Sequence, residues 1–235
     1  MKVTILIPVF NEQATISELI AKVAQAKLPP GFTKEVIIIN DGSTDATPRI
    51  LNKIKSGFKI IHQPRNLGKG AGIRTGIRHA TGDIVIIQDA DLEYNPNDFS
   101  RLLSLFKDKR VKAVYGSRFI NYPLILTGKN KTPLPVHWLA NKFLTFLTNI
   151  LYGNSVTDME TCYKIVRRRT LLSLNLQSNR FDIEPEITAK LFKKGIKIKE
   201  LAIQVKPRSY QEGKKIGWKD GLMAVVTLVK YRFLQ

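Results

Sequence analysis

The chain has 235 residues, 43% of them hydrophobic and 24% charged, so it is able to bury a core as one generous domain or two small ones. Its 38 Lys and Arg residues outnumber its 19 Asp and Glu residues, and the net charge of +19 predicts a polyanionic partner: nucleic acid, an anionic membrane surface or a phosphorylated substrate. The single cysteine excludes an intramolecular disulfide, and neither a signal peptide nor a transmembrane helix is predicted, because the apolar runs are too short.

Strands and helices alternate over the first half of the sequence. Apolar runs predict strands at residues 3–8, 36–40, 59–62 and 84–88. One helix is predicted to begin at Thr15, a second to run from the turn at residues 41–45 to about residue 55, and a third to span residues 68–80. This alternation indicates an α/β fold with a mostly parallel central sheet flanked by helices. In such sheets, ligands bind beyond the carboxyl ends of the strands. The side chains at those ends are Pro8, Phe10, Glu12, Asp41, Arg65, Asp89 and Asp91.

The second half predicts further strands and two amphipathic helices. Strands are predicted at residues 111–118, 156–166 and 196–205, helices at 135–152, 185–194 and 218–233, and a mobile basic loop at 119–135. The helix at 135–152 is too polar to span a bilayer comfortably, and the helix at 218–233 is amphipathic, with basic residues near its ends. Because no linker is visible, we expect one domain, 1–235.

Two carboxylates follow the apolar run at residues 84–87. If the chain is still extended there, Asp89 and Asp91 point the same way, and two like charges held so close are costly unless a cation shares them. Mg²⁺ is commonly held by one or two carboxylates together with substrate phosphates. The pattern therefore favours a metal-bridged phosphate site, and the alternative is that the two aspartates cap a helix near residues 95–99.

Asp41 is a candidate for binding a nucleotide, and Lys69 is a candidate for binding an anion. Asp41 follows a buried strand, where a carboxylate is able to accept hydrogen bonds from a base or ribose, although it could equally be a turn residue. Lys69 lies at the start of a glycine-rich helix whose backbone N–H groups favour anions, but residues 68–72 fit neither phosphate-loop pattern. The histidines lack metal-ligand spacing, and Cys162 is expected to be buried rather than a nucleophile.

The later basic residues Arg118, Arg208, Lys214 and Lys215 either bind phosphate or form a solvated basic face. Eight segments, at residues 7–12, 40–45, 66–70, 88–93, 116–119, 157–164, 180–186 and 212–216, together resemble family 2 glycosyltransferases with a GT-A fold. Within that family they most closely resemble the polyprenyl-phosphate, or dolichyl-phosphate mannose synthase-like, group. The resemblance covers nearly the whole chain, and the joint match is far more specific than any single segment.

The resemblance implies an inverting transfer of a sugar from a GDP- or UDP-type donor to a polyprenyl phosphate at the membrane surface. It assigns Pro8, Phe10, Glu12, Asp41, Lys69 and Asp89 to the donor, Asp91 and Glu93 to Mg²⁺ or Mn²⁺, and Arg118, Arg208, Lys214 and Lys215 to the acceptor phosphate. Asp89, Asp91 and Arg118 are then the catalytic residues. It also implies a nucleotide-sugar-binding part at 1–118 and an acceptor-binding, membrane-associating part at 119–235, whose helices at 135–152 and 218–233 would lie in the interface plane of the membrane. The implied location is cytoplasmic, peripherally associated with the cytoplasmic face of the membrane.

Three other functions are compatible with the sequence. With a hydroxyl acceptor, the same enzyme would need a general base, and Asp158, Glu160 and Glu184 are the candidates. A nucleic-acid-binding module would explain the charge, but aromatic residues are not interleaved with the basic runs, so nucleic acid is not expected as a partner. A membrane-associated scaffold with a degenerate site would show no transfer activity.

Overall fold

The computed structural model describes residues 1–54, 57–121, 123–125, 127, 132, 134–208 and 217–234. The strands are β1 (Lys2–Val9), β2 (Thr33–Asn40), β3 (Lys59–His62), β4 (Ile84–Ile87), β5 (Ala113–Ser117), β6 (Lys164–Arg167) and β7 (Ile198–Ala202). The helices are α1 (Ile16–Gln25), α2 (Thr47–Leu51), α3 (Lys69–His79), α4 (Phe99–Ser104), α5 (Pro135–Tyr152), α6 (Arg168–Ser173), α7 (Ile183–Lys193) and α8 (Trp218–Phe233), with 3₁₀ turns at Pro96–Asp98 and Leu105–Lys107.

The strands of the described residues form one sheet in the order β3-β2-β1-β4-β6-β5-β7. Every neighbouring pair is parallel except those of β6, which runs antiparallel to β4 and β5. The predicted mostly parallel sheet is therefore confirmed. All four residues of β4 are buried, as a central strand covered on both faces requires. Helix α3 packs closely on the sheet at Gly76, where an added Cβ would lie 2.9 Å from Leu6 Cδ2.

The predicted strand at 156–166 is wrong over most of its length, because only Lys164–Arg167 is a strand. Before it, hydrogen bonds to side chains replace the strand ladder: the Cys162 amide donates to the Tyr94 hydroxyl at 3.0 Å, and the Thr161 hydroxyl donates to the Gly116 carbonyl at 2.6 Å. The strand predicted at 196–205 is likewise shortened to Ile198–Ala202. Helix α4 begins at Phe99, where the helix implied near residues 95–99 leads into it, whereas the six residues of α6 form an apolar pattern too short for the sequence to reveal.

Helices α5 and α8 pack on each other and expose one apolar side. Leu144 and Leu228 belong to the same buried cluster, and the Tyr152 hydroxyl donates to the Leu228 carbonyl at 2.7 Å. Their exposed apolar side chains, called here the apolar face, are Val136, Leu139, Phe143, Phe146 and Ile150 of α5 and Trp218, Leu222, Val226, Val229 and Phe233 of α8. The predicted amphipathic helices are thus confirmed. None of the helices in the described residues is both long and apolar enough to cross a bilayer. Part of the loop predicted at 119–135 lies outside the described residues.

Candidate active site

A cavity of about 770 Å³ lies at the carboxyl ends of β1, β2, β4 and β5. Its volume falls within the range of about 300–1,000 Å³ that is usual for ligand pockets. The side chains that line it include most of the predicted site residues, namely Pro8, Phe10, Asp41, Lys69, Asp89, Asp91, Glu93, Arg118 and Arg208. Glu12 contacts this group through Arg208, whereas Lys214 and Lys215 lie outside the described residues.

Asp89 and Asp91 lie at a turn rather than on an extended chain. Strand β4 ends at Ile87, and Leu92 adopts a positive φ of 63°, yet both carboxylates still line the cavity. Burial, together with the charges of Asp89 and Glu93, raises the pKa of Asp91 to about 7. The alternative role of the two aspartates as helix caps is wrong, because the Asn95 side chain accepts the capping hydrogen bond from the Asn97 amide.

Arg208 joins three acidic residues of the site. Its guanidinium donates to both carboxylate oxygens of Glu12 at 3.1 Å and lies 3.3 Å from Asp91 Oδ2. Its backbone N–H donates to Glu93 Oε1 at 3.0 Å. The resemblance assigns Arg208 to the acceptor phosphate. In the structure, Arg208 is instead paired with carboxylates that the resemblance assigns to the donor and the metal.

Lys69 is also paired with carboxylates. Its Nζ lies 2.7 Å from Asp89 Oδ1 and 3.1 Å from Glu184 Oε1, at the first residue of α3 as predicted. Burial opposes the charge of the ammonium group, but the facing carboxylates raise the pKa of Lys69 well above its usual value. Lys69 therefore stays protonated and fixes the Asp89 carboxylate at the rim of β4.

The Asp41 carboxylate holds the turn that leads into α3. It accepts hydrogen bonds from the Gln63 side chain and from the amides of Leu67 and Gly68, each at 2.8 Å. Gly68 has a φ of 97°, a conformation that favours glycine. The turn role of Asp41 is thus observed. Its binding of a base or ribose stays a prediction, compatible with its position on the cavity wall.

Arg118 forms a two-point ion pair with Asp158. Its Nε lies 2.7 Å from Asp158 Oδ2, its Nη2 lies 2.7 Å from Oδ1, and its backbone N–H donates to Oδ2 at 2.9 Å. Asp158 is fully buried, whereas the Arg118 side chain keeps 19% of its surface exposed and lines the cavity. The interpretation of Asp158 as a general base is therefore wrong: both of its oxygens are occupied in positioning Arg118.

Two other acidic residues line the same wall. Glu160 has a buried Oε1 without a hydrogen-bond partner among the described residues, and burial raises its pKa to about 7. Glu184 lies between Lys69 and Lys164, whose Nζ is 3.7 Å from Glu184 Oε2. Sequence reasoning missed Lys164, which is fully buried and whose pKa burial lowers. Its position at the end of the 157–164 segment, two residues after Cys162, was the sequence feature that could have indicated Lys164.

The acidic cluster fits a divalent cation that is completed by a ligand. Asp89, Asp91 and Glu93 all line the cavity, and their mutual repulsion would be relieved by a bound cation. Within the described ranges, no three His, Cys, Asp or Glu side chains form a ready-made metal site. Mg²⁺ characteristically takes one or two carboxylates and completes its shell with substrate phosphates and water. Asp91 and Glu93 are the residues that would hold it.

Comparison with known proteins defines first the fold and then the family. The glucosyl-3-phosphoglycerate synthase of Mycobacterium tuberculosis, solved with Mn²⁺, UDP and glucosyl-3-phosphoglycerate, superimposes with a TM-score of 0.72 at 20% identity, covering 100% of this chain and 81% of that one. Its complex with Mg²⁺ and UDP gives a TM-score of 0.73, also at 20% identity, over 100% and 80% of the two chains. The fold is that of GT-A glycosyltransferases. Residues 4–173 match the model of glycosyl transferase family 2, and the chain belongs to that family.

Two curated relatives are enzymes of lipid-phosphate glycosylation. A dolichyl-phosphate beta-glucosyltransferase of Trichomonas vaginalis is 28% identical over 219 residues, which is 86% of this chain and 64% of the relative. An undecaprenyl-phosphate 4-deoxy-4-formamido-L-arabinose transferase of Salmonella paratyphi B is 36% identical over 107 residues, or 44% and 33% of the two chains. The chain thus spans under two thirds of the length of these relatives.

Proposed function

We propose that this chain is a glycosyltransferase that moves a sugar from a nucleotide donor to a polyprenyl phosphate. The observation that carries the proposal is the composition of a single cavity, which joins the carboxylates at the strand ends, the Arg118 guanidinium and the inner sides of α5 and α8. The carboxylates suit a cation that is bound to a diphosphate, and the Arg118 guanidinium suits a phosphate. The sides of α5 and α8 suit an apolar chain. The names of the two curated relatives support this acceptor class.

The donor occupies the part of the cavity at β1, β2 and β4 in this proposal. Pro8, Phe10 and Asp41 form the nucleoside side, and Asp89 and Asp91 face the diphosphate. Asp91 and Glu93 would hold Mg²⁺ or Mn²⁺, which would offset the charge that develops on the leaving diphosphate. Glu12 acts indirectly, by fixing the guanidinium of Arg208 close to Asp91.

The reaction is a direct displacement at the anomeric carbon. An oxygen of the acceptor phosphate forms the new bond to that carbon while the bond to the diphosphate breaks, and the nucleoside diphosphate leaves with the bonding electron pair. Because the second pKa of a phosphate monoester is about 6, the acceptor is largely deprotonated at neutral pH and needs no dedicated base. Arg118, locked in place by Asp158, orients that phosphate.

The direct test is transfer of labelled sugar to lipid. The protein is incubated with Mn²⁺, radiolabelled UDP-glucose or GDP-mannose, and undecaprenyl phosphate in detergent, and the organic phase is counted. We expect label in the lipid with one of the two donors and none when EDTA removes the metal. Donor binding without any labelled lipid, from either donor, would reject the polyprenyl-phosphate acceptor.

A hydroxyl acceptor is the second candidate, favoured by Glu160. Its buried Oε1, which has no hydrogen-bond partner in the described part of the chain, and its raised pKa of about 7 suit a general base on the cavity wall. A base acts deprotonated, so a reaction that uses Glu160 would speed up as pH rises through about 7.

Glu160→Gln separates the two acceptors. For a phosphate acceptor, we expect kcat/KM of the variant to stay within a few-fold of wild type, with an unchanged pH profile. For a hydroxyl acceptor, the variant would lose about 10²–10⁴-fold in rate, and the rise through pH 7 would vanish. The measurement is kcat/KM from pH 5.5 to 8.5 on the acceptor that the transfer test identifies.

The apolar face of α5 and α8 is proposed to dock on an anionic membrane surface. Lys142, Lys219, Lys230 and Arg232 accompany it on the same two helices, and the whole chain carries a net charge of +19. A basic residue near an anionic leaflet contributes about 1 kcal/mol, so four of them reinforce the insertion of apolar side chains. Peripheral association with the cytoplasmic leaflet follows for an acceptor presented on that side.

Charge introduced on the apolar face should weaken membrane binding. Phe143 and Phe146 are 58% and 61% exposed, so Phe143→Asp and Phe146→Asp remove little packing. Each variant is expected to bind vesicles of phosphatidylglycerol and phosphatidylcholine at least about tenfold more weakly, since burying a Phe side chain is worth about 1.5–3 kcal/mol. Co-sedimentation measures the partition. Leu172→Asp, at an exposed leucine on α6, is the matched control, and equal loss in that control would contradict a local docking face.

A further inference from the structure

The cavity continues from the acidic strand ends into a slot between α5 and α8. Nine residues of the two helices line it there, six of them apolar or glycine: Val136, Ala140, Leu144, Trp218, Gly221 and Ala224. All nine belong to the first ten residues of α5 or the first seven of α8. Farther along, the helices are joined by the hydrogen bond from Tyr152 to Leu228. The open part is therefore confined to the half of the helix pair next to the catalytic groups.

Gly221 marks the space in this slot. Glycine inside a helix destabilises the helix relative to alanine. A glycine at the fourth position of α8 therefore calls for a structural explanation. A Cβ added at Gly221 would meet no atom of the described residues within 4 Å, although the residue lines the cavity. Gly76 of α3 is the opposite case, because a Cβ there would lie 2.9 Å from Leu6. The absence of a side chain at Gly76 allows α3 to pack against the sheet, whereas the absence of a side chain at Gly221 leaves open space among the described residues.

We propose that the isoprenoid chain of the acceptor leaves the cavity through this slot, passing Gly221. The inference rests on the proposed function and specifies the acceptor as an amphiphile whose tail is held by protein next to its phosphate. The occupant follows from two features of one cavity, the Arg118 guanidinium for an anionic head and the apolar crevice for a chain. Val136 and Trp218 belong both to the slot and to the apolar face, so a chain leaving here enters the bilayer without crossing water.

Filling the slot tests this path. Gly221→Leu places a leucine side chain in the gap, and Gly221→Ala adds a single methyl group there. Ala21→Leu, at an exposed alanine of α1, places a leucine far from the slot. Each protein is assayed for kcat/KM on prenyl phosphates of one, two and four isoprene units, with the dissociation constant of the donor nucleotide measured alongside.

In the wild type, we expect kcat/KM to rise at least about tenfold from one to two isoprene units, since each buried CH₂ is favourable. Gly221→Leu should lose that rise while its nucleotide affinity stays within error of wild type, and its melting temperature should not fall, since leucine favours a helix over glycine. Gly221→Ala should keep part of the rise, and Ala21→Leu should keep all of it.

The outcomes separate this inference from the proposed function. If the wild type transfers sugar to prenyl phosphates and Gly221→Leu shows the same chain-length dependence, the tail takes another path and only this inference fails. If the wild type binds donor but glycosylates none of the prenyl phosphates, the proposed function fails as well. A prenyl phosphate bearing a diazirine on its second isoprene unit adds a test on the unaltered protein. Labelling of peptides from α5 and α8 supports the slot, and labelling elsewhere overturns it.

Discussion

Replacing Asp91 by alanine is expected to slow sugar transfer by about 10³-fold or more in saturating Mn²⁺. Asp91 lines the cavity, and its carboxylate is kept near Asp89 and Glu93, whose charges help to raise its pKa. Without it, a cation would keep only Glu93 and the donor oxygens as ligands, and the charge on the departing diphosphate would be poorly offset. Stabilisation of that charge by a metal is worth several kcal/mol, which sets the expected magnitude.

Binding measurements separate metal loss from general damage to the site. Mn²⁺ affinity, followed by electron paramagnetic resonance in the presence of the nucleoside diphosphate, should fall at least about tenfold in Asp91→Ala. Nucleotide affinity measured without metal should be nearly unchanged. Asp91→Asn is the matched control, since it keeps an oxygen ligand and similar volume but removes the charge, and it should lie between wild type and Asp91→Ala. Undiminished turnover in Asp91→Ala would reject the metal assignment.

Arg118→Ala is expected to damage stability and activity together. Asp158 is fully buried, and both of its oxygens face the Arg118 guanidinium at 2.7 Å. Removing one partner of a buried ion pair leaves the other charge uncompensated, which costs about 3–5 kcal/mol. Urea unfolding should show a loss of that size, and transfer to the acceptor should also fall because the same guanidinium faces the cavity.

A double replacement distinguishes the two roles of Arg118. Arg118→Met with Asp158→Leu removes the buried charge along with its partner, so most of the lost stability should return. Transfer should not return, because no cation is left to orient the acceptor phosphate. If activity recovered together with stability, Arg118 would be a structural residue only.

How far the sequence predicts the site depends on whether a residue's surroundings are local. The placement of Asp89 and Asp91 at a strand end follows from the apolar run that precedes them, and both do line the cavity. No local pattern predicts the role of Asp158, because its ion-pair partner Arg118 lies forty residues away in the chain. Arg208 is similar, because its partner Glu12 is 196 residues distant. Composition and periodicity report neighbours along the chain and say little about such pairings.

The sheet illustrates the same limit. The alternating pattern of the first half correctly predicts the parallel strands β1 to β4, because each pattern is complete within one helix and one strand. Strand β6 is only four residues long, and nothing in Lys164–Arg167 reveals that it inserts between β4 and β5 and runs in the opposite direction. Its position is set by tertiary packing.

That inserted strand has a consequence for exchanging parts between relatives. The neighbours of β5 in the described sheet are β6 and β7, both from the chain after residue 118. In a chimera joined near residue 118, β5 would come from one parent, and β6 and β7, which pair with it on both sides, would come from the other. To test the proposed acceptor path, grafting the facing sides of α5 and α8 is therefore expected to preserve the sheet better than exchanging C-terminal halves.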